Sequence, residues 1–207
     1  MGGIKLKFRV PEGATPIEES SDLILDGLLT YQDLCTAEAE NILSAIDSHF
    51  KRKKNIKKNW LTEEYIRKVH RDMFKNVWRW AGIYRKTELN IGVRSHSVRE
   101  EIAKLCHDVA YWGSNKANMP VLERAIRIHH RLTWIHPFMN GNGRHARLIA
   151  DIYLYSYNHP RPIWAESSFS NDGDMRSKYL KAIREADHSN FEPLIEFTKQ
   201  HINHDAV

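Results

Sequence analysis

The sequence predicts an all-α domain with one small β-hairpin set into it. Apolar residues recur at helical spacing from about residue 31 to residue 202, in segments that open on good caps or on a proline. Two of these segments meet at a tight Gly- and Asn-rich turn over 136–144, which joins the two most central helices. One short stretch, Trp78 to Val93, has the aromatic, β-branched and Gly content that suits a hairpin. At 207 residues the chain fits one domain, large enough for a substantial core.

Residues 1–29 begin with alternating Ile4-Lys5-Leu6-Lys7-Phe8-Arg9-Val10 and a turn-rich Pro11 to Pro16, the pattern of an edge strand or an extended arm. Thr30 is a good N-cap for a helix over 31–50, with Leu34, Ala37, Ile42, Leu43 and Ile46 available for burial. The run Lys51-Arg-Lys-Lys-Asn-Ile-Lys-Lys58 has no interleaved aromatic, so a solvated connector is favoured over a surface for nucleic acid or an acidic partner. Thr62 caps a second helix to about Asn76, with Tyr65, Ile66, Val69 and Met73 on one face. Trp78 and Trp80 are expected as core anchors, since large aromatics contribute mostly through burial.

Ser97-Val-Arg-Glu100 has the form of a capping box for a helix running to Trp112. Pro120 suits the first turn of the next helix, which carries His129 and His130 among Ile126, Ile128, Leu132 and Trp134. Without metal-ligand spacing or a third convergent ligand, those histidines are read as structural. Leu148 to Tyr157 forms the apolar helix beyond the turn, and Asn158-His-Pro-Arg-Pro162 stops it. Helices from about Asp174 to Ala186 and from Asn190 to about Ile202 close the domain, before a tail at 203–207. Met175, Tyr179 and Ile183 form an apolar stripe on the first of these.

Charge and cysteine content exclude several classes. A balance of 31 Lys+Arg against 26 Asp+Glu permits anionic ligands without identifying nucleic acid as one. Cys35 and Cys106 are too few for a disulfide framework and lack zinc-ligand spacing. No secretory pattern or membrane-length apolar run occurs, so a reduced, cytoplasmic protein is the default expectation.

The stretch His136-Pro-Phe-Met-Asn-Gly-Asn-Gly-Arg-His-Ala-Arg147 carries the chemistry. A turn opening onto a helix N-terminus is a ready anion site, because unpaired N–H groups and the positive dipole end point outward together. Gly141 and Gly143 let the backbone approach a ligand closely. Arg144 and Arg147, three residues apart, can reach one phosphate chain, and His136 is a proton acceptor suited to neutral pH. The residues describe a polyphosphate site with a histidine base beside it.

His136, Phe138, Gly141, Asn142, Gly143, Arg144 and Arg147 resemble the core motif of Fic-domain proteins, His-x-Phe-x-[Asp/Glu]-Gly-Asn-Gly-Arg-x-x-Arg. The resemblance covers roughly Thr30 to Ile202 and departs at one fixed position, where Asn140 replaces the acidic residue. It implies a Fic-type helical domain that transfers AMP from ATP to a Ser, Thr or Tyr hydroxyl of a target protein. His136 would then be the general base, and Phe138 the anchor of the turn. The turn amides of Gly141 to Gly143 would hold charge on the phosphate oxygens. Asn142 and Arg144 would bind the α- and β-phosphates, Arg147 the γ-phosphate, and Tyr179 would lie near the adenine.

In the family the residue at position 140 holds Mg²⁺; an Asn140 amide can ligate it but adds no charge. Slower transfer, another nucleotide or orientation, and a silent binding module all remain open, as does a phosphotransferase. Thr36-x-x-x-Glu40-Asn41 is similar to the family's inhibitory motif, which implies a helix over about 31–50 whose Glu40 pairs with Arg147. The segment over about 81–96 resembles the Fic flap, with Asn90 and Ile91 at its target-docking tip. The expected partners are a nucleotide and a target protein that the sequence does not identify, with no membrane. A toxin-like regulator acting by binding alone is the contrasting reading.

Overall fold

The computed structural model describes residues 22–24, 30–51, 60–114, 117–164 and 173–202. The 1–29 arm apart from 22–24, the basic run from residue 52 onward and the 203–207 tail lie outside the described residues.

Helix α1 (Tyr31–Lys51) opens on a reciprocal cap. The Asp33 amide donates to Thr30 Oγ1 at 3.1 Å, and the Thr30 amide donates to Asp33 Oδ2 at 2.9 Å. Its inward stripe is Leu34, Glu38, Asn41, Ala45 and His49, spaced by three and four residues. Leu43, expected in the core, falls on the opposite face and is 65% exposed.

Helix α2 (Glu63–Phe74) starts at Thr62, whose Oγ1 accepts from the Tyr65 amide, and buries Ile66, Val69, His70, Met73 and Phe74. The expected hairpin beyond it does not form. Among the described residues, strand pairing is limited to two isolated bridges, Leu23 with Trp78 and Pro162 with Ile202. Trp78 is nonetheless a core anchor, fully buried and stacked on Trp80 at 5.0 Å.

A 3₁₀ turn (Ser95–Ser97) leads into α3 (Val98–Trp112). Ser97 makes no side-chain cap bond, so the expected capping box is absent. Glu88 instead reaches across from the preceding loop and accepts from the Ser95 amide at 3.0 Å and Ser95 Oγ at 2.9 Å.

Helices α4 (Val121–Ile135) and α5 (Asn142–Ser156) form the centre of the fold and pack most extensively on each other. Ile128, Leu132 and Ile135 of α4 meet Ala146, Ile149 and Tyr153 of α5 in one apolar cluster. Each such large side chain contributes roughly 1.5–3 kcal/mol by leaving water. Helices α6 (Gly173–Asp187) and α7 (Glu192–Gln200) build a second cluster around Tyr179, Ile183, Leu194 and Phe197, joined to α4 through Ile126. The last helix ends at Gln200, two residues short of the sequence-based end. No described helix is long and apolar enough to cross a membrane.

Candidate active site

The site grows from the end of α4. His136 is its C-cap, in the left-handed region at φ 52°, ψ 60°. A non-glycine residue there costs roughly 1–2 kcal/mol, so surrounding contacts must hold it. The His136 amide still closes the helix on the Leu132 carbonyl at 3.1 Å, while its own carbonyl turns away and accepts from Arg85 Nε at 2.7 Å. Nδ1 of the imidazole lies 3.4 Å from the Thr133 carbonyl, which can only accept, so the proton sits on Nδ1 and Nε2 keeps its lone pair. Burial pushes the His136 pKa down to about 4, against the pull of the Thr133 carbonyl, and the Arg85 charge adds to the lowering. His136 is therefore a neutral acceptor at physiological pH.

The loop that follows is stapled by its own side chains. Asn142 Oδ1 accepts from the Phe138 amide at 2.9 Å, and Asn142 Nδ2 donates to the Phe138 carbonyl at 2.8 Å. The Asn142 side chain, expected at the phosphates, thus holds the loop. Its backbone amide, in the first turn of α5, remains the group that can face an anion. Phe138 is fully buried and stacks on His70 with centroids 3.6 Å apart.

Asn140 Oδ1 accepts from the Gly141 amide at 2.6 Å, so the atom expected to meet a metal is committed to the loop. Among the described residues no group of three His, Cys, Asp or Glu side chains gathers that could hold a metal ion. A hard cation that favours anionic oxygen finds no protein-built Mg²⁺ site in this donor set. The same bond occupies the Gly141 amide, leaving the first-turn amides of Asn142, Gly143 and Arg144 to point outward. Gly141 sits at φ 74°, and a Cβ there would lie 2.4 Å from the Phe74 ring, so only glycine fits.

The two arginines face different neighbours. Arg147 is 9% exposed, with Nη1 3.6 Å from where a Gly143 Cβ would stand, so it curls back toward the helix start. Its guanidinium lies 5.9 Å from the Trp164 ring, and its charge works against the rise that burial gives the Tyr179 hydroxyl pKa. That hydroxyl also meets His129 Nε2 at 2.9 Å, and the Tyr179 ring stacks on His129 and packs against Phe197. Tyr179, expected near the adenine, is 6% exposed.

Arg144 turns the other way, over the Phe74 ring at 5.0 Å, and donates to Glu38 Oε2 at 2.6 Å. Glu38 Oε1 accepts from the Trp78 indole, also at 2.6 Å. The expected Glu40–Arg147 pair is therefore not the contact made. Glu40 is exposed, because two positions along an α-helix are about 200° of rotation and Glu38 occupies the inward stripe. Thr36 is likewise exposed and donates back to the Gln32 carbonyl. Asn41 alone of that motif faces inward, where its Oδ1 accepts from Asn76 Nδ2 at 2.9 Å.

The loop over 83–94 passes directly above His136. The Arg85 amide donates to the Pro137 carbonyl at 3.0 Å, and the Val93 amide to that of Ile135 at 3.4 Å. A Cβ on Gly92 would stand 2.5 Å from His136 Cβ. Asn90 and Ile91, the expected docking tip, are exposed.

Comparison with known proteins bears on this architecture. The profile of the Fic/DOC family matches residues 60–154, from the start of α2 to near the end of α5. A Fido domain-containing protein of Dictyostelium discoideum is 32% identical over 110 residues, covering 51% of this chain and 71% of that one. The chain belongs to the Fic/DOC family. Protein adenylyltransferase fic-1 of Caenorhabditis briggsae is 25% identical over 123 residues, covering 58% of this chain. The match takes in 23% of that relative, so the chain spans about a quarter of its length. Among solved structures, Bartonella tribocorum BepC with bound AMPPNP matches with a TM-score of 0.64 at 16% identity, over 94% of this chain and 95% of that one. At that identity the likeness is one of fold.

Three residues of this Fic site carried no signal that sequence reasoning used. Glu38 looked like one acidic residue among several on an amphipathic helix. Arg85 stands beside Lys86, one basic residue among several charges in an aromatic stretch. His70 sits beside the apolar face of α2, where Nδ1 accepts from the Gly82 amide at 2.9 Å and Nε2 donates to the Asn140 carbonyl at 3.1 Å. Burial holds His70 well below its ordinary pKa, with the neighbouring His145 adding to the lowering, so the neutral form that both bonds require is the one present.

Proposed function

We propose that this Fic protein transfers AMP from ATP to a hydroxyl side chain of a target protein, with His136 as general base. The observation that carries the reading is the neutral His136 imidazole, its Nδ1 on the Thr133 carbonyl, in the loop that opens onto the α5 N-terminus. Relatives named protein adenylyltransferase support the same chemistry.

In the step, His136 Nε2 takes the proton of the target hydroxyl as its oxygen bonds to the α-phosphorus. The bond from that phosphorus to the α–β bridging oxygen breaks, and pyrophosphate leaves. The first-turn amides of Asn142, Gly143 and Arg144 meet the negative charge on the α-phosphate oxygens as it grows. Arg147 takes the terminal phosphates as a planar fork. Asn90 and Ile91 lie at the tip of a loop that can hold an extended target segment through main-chain bonds. No step runs through a protein-held Mg²⁺.

Regulation in this reading falls to Glu38. A carboxylate on Arg144 occupies a guanidinium that the phosphates would otherwise claim, so releasing α1 frees the site.

Label transfer tests the reading, with ATP labelled at the α- or γ-phosphate and self-modification and lysate proteins as readout. Label from the α position alone is expected. His136→Ala should lower it at least about 100-fold, with nucleotide affinity nearly unchanged. Label from the γ position would make the protein a phosphotransferase. Tight nucleotide binding without any label would favour the binding-module reading.

A further inference from the structure

Arg85 lies outside the motif and carries a full charge in a buried place. It is 3% exposed, and its nearest carboxylate, Glu88, stands 3.8 Å away and is half in solvent. A buried guanidinium without a close anion is costly unless its N–H groups are satisfied. Here backbone carbonyls do that. Nε donates to the His136 carbonyl at 2.7 Å, Nη1 to that of Thr87 at 3.1 Å, and Nη2 to that of Val93. Thr87 and Val93 stand on the two limbs of the flap loop, and His136 bears the base. One rigid fork therefore joins three backbone points that no strand ladder connects.

The conformation of His136 explains why a side chain is needed there. The left-handed backbone turns the His136 carbonyl out of α4, so the helix cannot satisfy it. The flap limbs, in turn, have backbone carbonyls that a hairpin would have paired. Gly92 presses on His136 from above, with no room for a Cβ, so a shift of the flap is a shift of the imidazole. The Arg85 amide adds a bond to Pro137 from the same residue.

We infer that Arg85 is the positioning residue that fixes the His136 base in register with the flap, so that a hydroxyl held on the flap meets Nε2 at bonding distance. The inference rests on the reading of His136 as base and of the flap as target holder. Arg85 touches neither nucleotide nor target; it sets the distance between the two parts that do.

The test uses the full chain with Arg85→Lys, whose single ammonium cannot fork to three carbonyls, and Arg85→Gln, which also removes the charge. Amide hydrogen exchange over 86–93 should become roughly 10-fold faster, and the His136 ring resonances should shift, while α2 and α5 stay protected. If the unaltered protein labels itself, kcat should fall about 100-fold with the KM for ATP held. Flap exchange and His136 resonances that stay unchanged would overturn the inference. So would exchange that rises equally in every helix, or loss of folding in both variants, since Arg85 would then serve the core as a whole. Exchange and NMR need no turnover, so a protein that labels neither itself nor any lysate protein would sink the transferase reading and still leave Arg85 decided.

Discussion

The catalytic loop and the flap lie against each other, yet they are held by opposite means. Residues 136–142 staple themselves: Asn142 brackets the Phe138 peptide, Asn140 caps the Gly141 amide, and Phe138 fills the space beneath. The flap has no ladder of its own; its own Arg85 side chain reaches the His136 carbonyl, and its Arg85 and Val93 amides donate to the Pro137 and Ile135 carbonyls. A loop held by its own side chains keeps its shape wherever the fold puts it. A loop whose own Arg85 fastens it to the His136 carbonyl takes its shape from that neighbour.

The sharpest way to break that contrast is Asn142→Ala. It removes two bonds and leaves a buried amide and carbonyl of Phe138 unsatisfied. A loss of about 3 kcal/mol of stability is expected, the sum of two such bonds and part of their desolvation cost. Nucleotide binding should fall with it, as calorimetry and urea unfolding would read. A mild effect would mean that the loop is held from outside, like the flap.

This difference also decides what could be read from the residues. The helices and the turn that opens onto α5 are legible because caps, periodicity and glycines act over a few positions. The hairpin was misread because aromatic and β-branched content fits a ladder as well as a loop, and the bonds that choose between them come from Arg85. The inhibitory contact was misread for a similar reason. Three matching residues in a six-residue pattern fix a spacing, but the inward stripe through Leu34, Glu38, Asn41 and Ala45 decides which carboxylate reaches the site.

The second prediction concerns that contact. Glu38→Gln keeps an oxygen for the Trp78 indole and removes the charge from Arg144. Labelling and nucleotide affinity should rise by roughly 10-fold, the scale of a charge-assisted bond. Glu40→Gly, on the outer face, should change neither. Equal responses in the two variants would return the regulatory role to the shape of α1 and take it from Glu38.

Acid should loosen the catalytic side first. Burial lowers the pKa values of His136 and His145 to about 4 and that of His129 to about 3, and holds His70 well below its ordinary value. The unfolded chain protonates these histidines near pH 6.5 and the folded one does not. Their contribution to stability is therefore complete above about pH 6.5 and is lost as pH falls from there toward about 4. His136 and His145 each contribute a slope of about 1.4 kcal/mol per pH unit in that window. Thermal melts between pH 7 and pH 4 check this, and His70→Phe should flatten the curve. A melting temperature constant to pH 5 would mean that these imidazoles already carry protons in the fold.

The smallest expected effect is the most specific to this chain. Asn140→Asp keeps an oxygen for the Gly141 amide, so the loop should keep its shape. The new carboxylate has a second oxygen free to turn toward the phosphates and supplies the anionic donor that a hard cation prefers. The unaltered protein should therefore bind nucleotide with little response to added Mg²⁺ or to a chelator, whereas Asn140→Asp should bind it more tightly as Mg²⁺ rises, by a few-fold. Isothermal titration of nucleotide across a Mg²⁺ series reads this without any need for turnover. Identical Mg²⁺ responses would show that the loop holds position 140 away from the phosphates whatever its charge. The staple that makes the catalytic loop self-sufficient would then also be what denies it a metal.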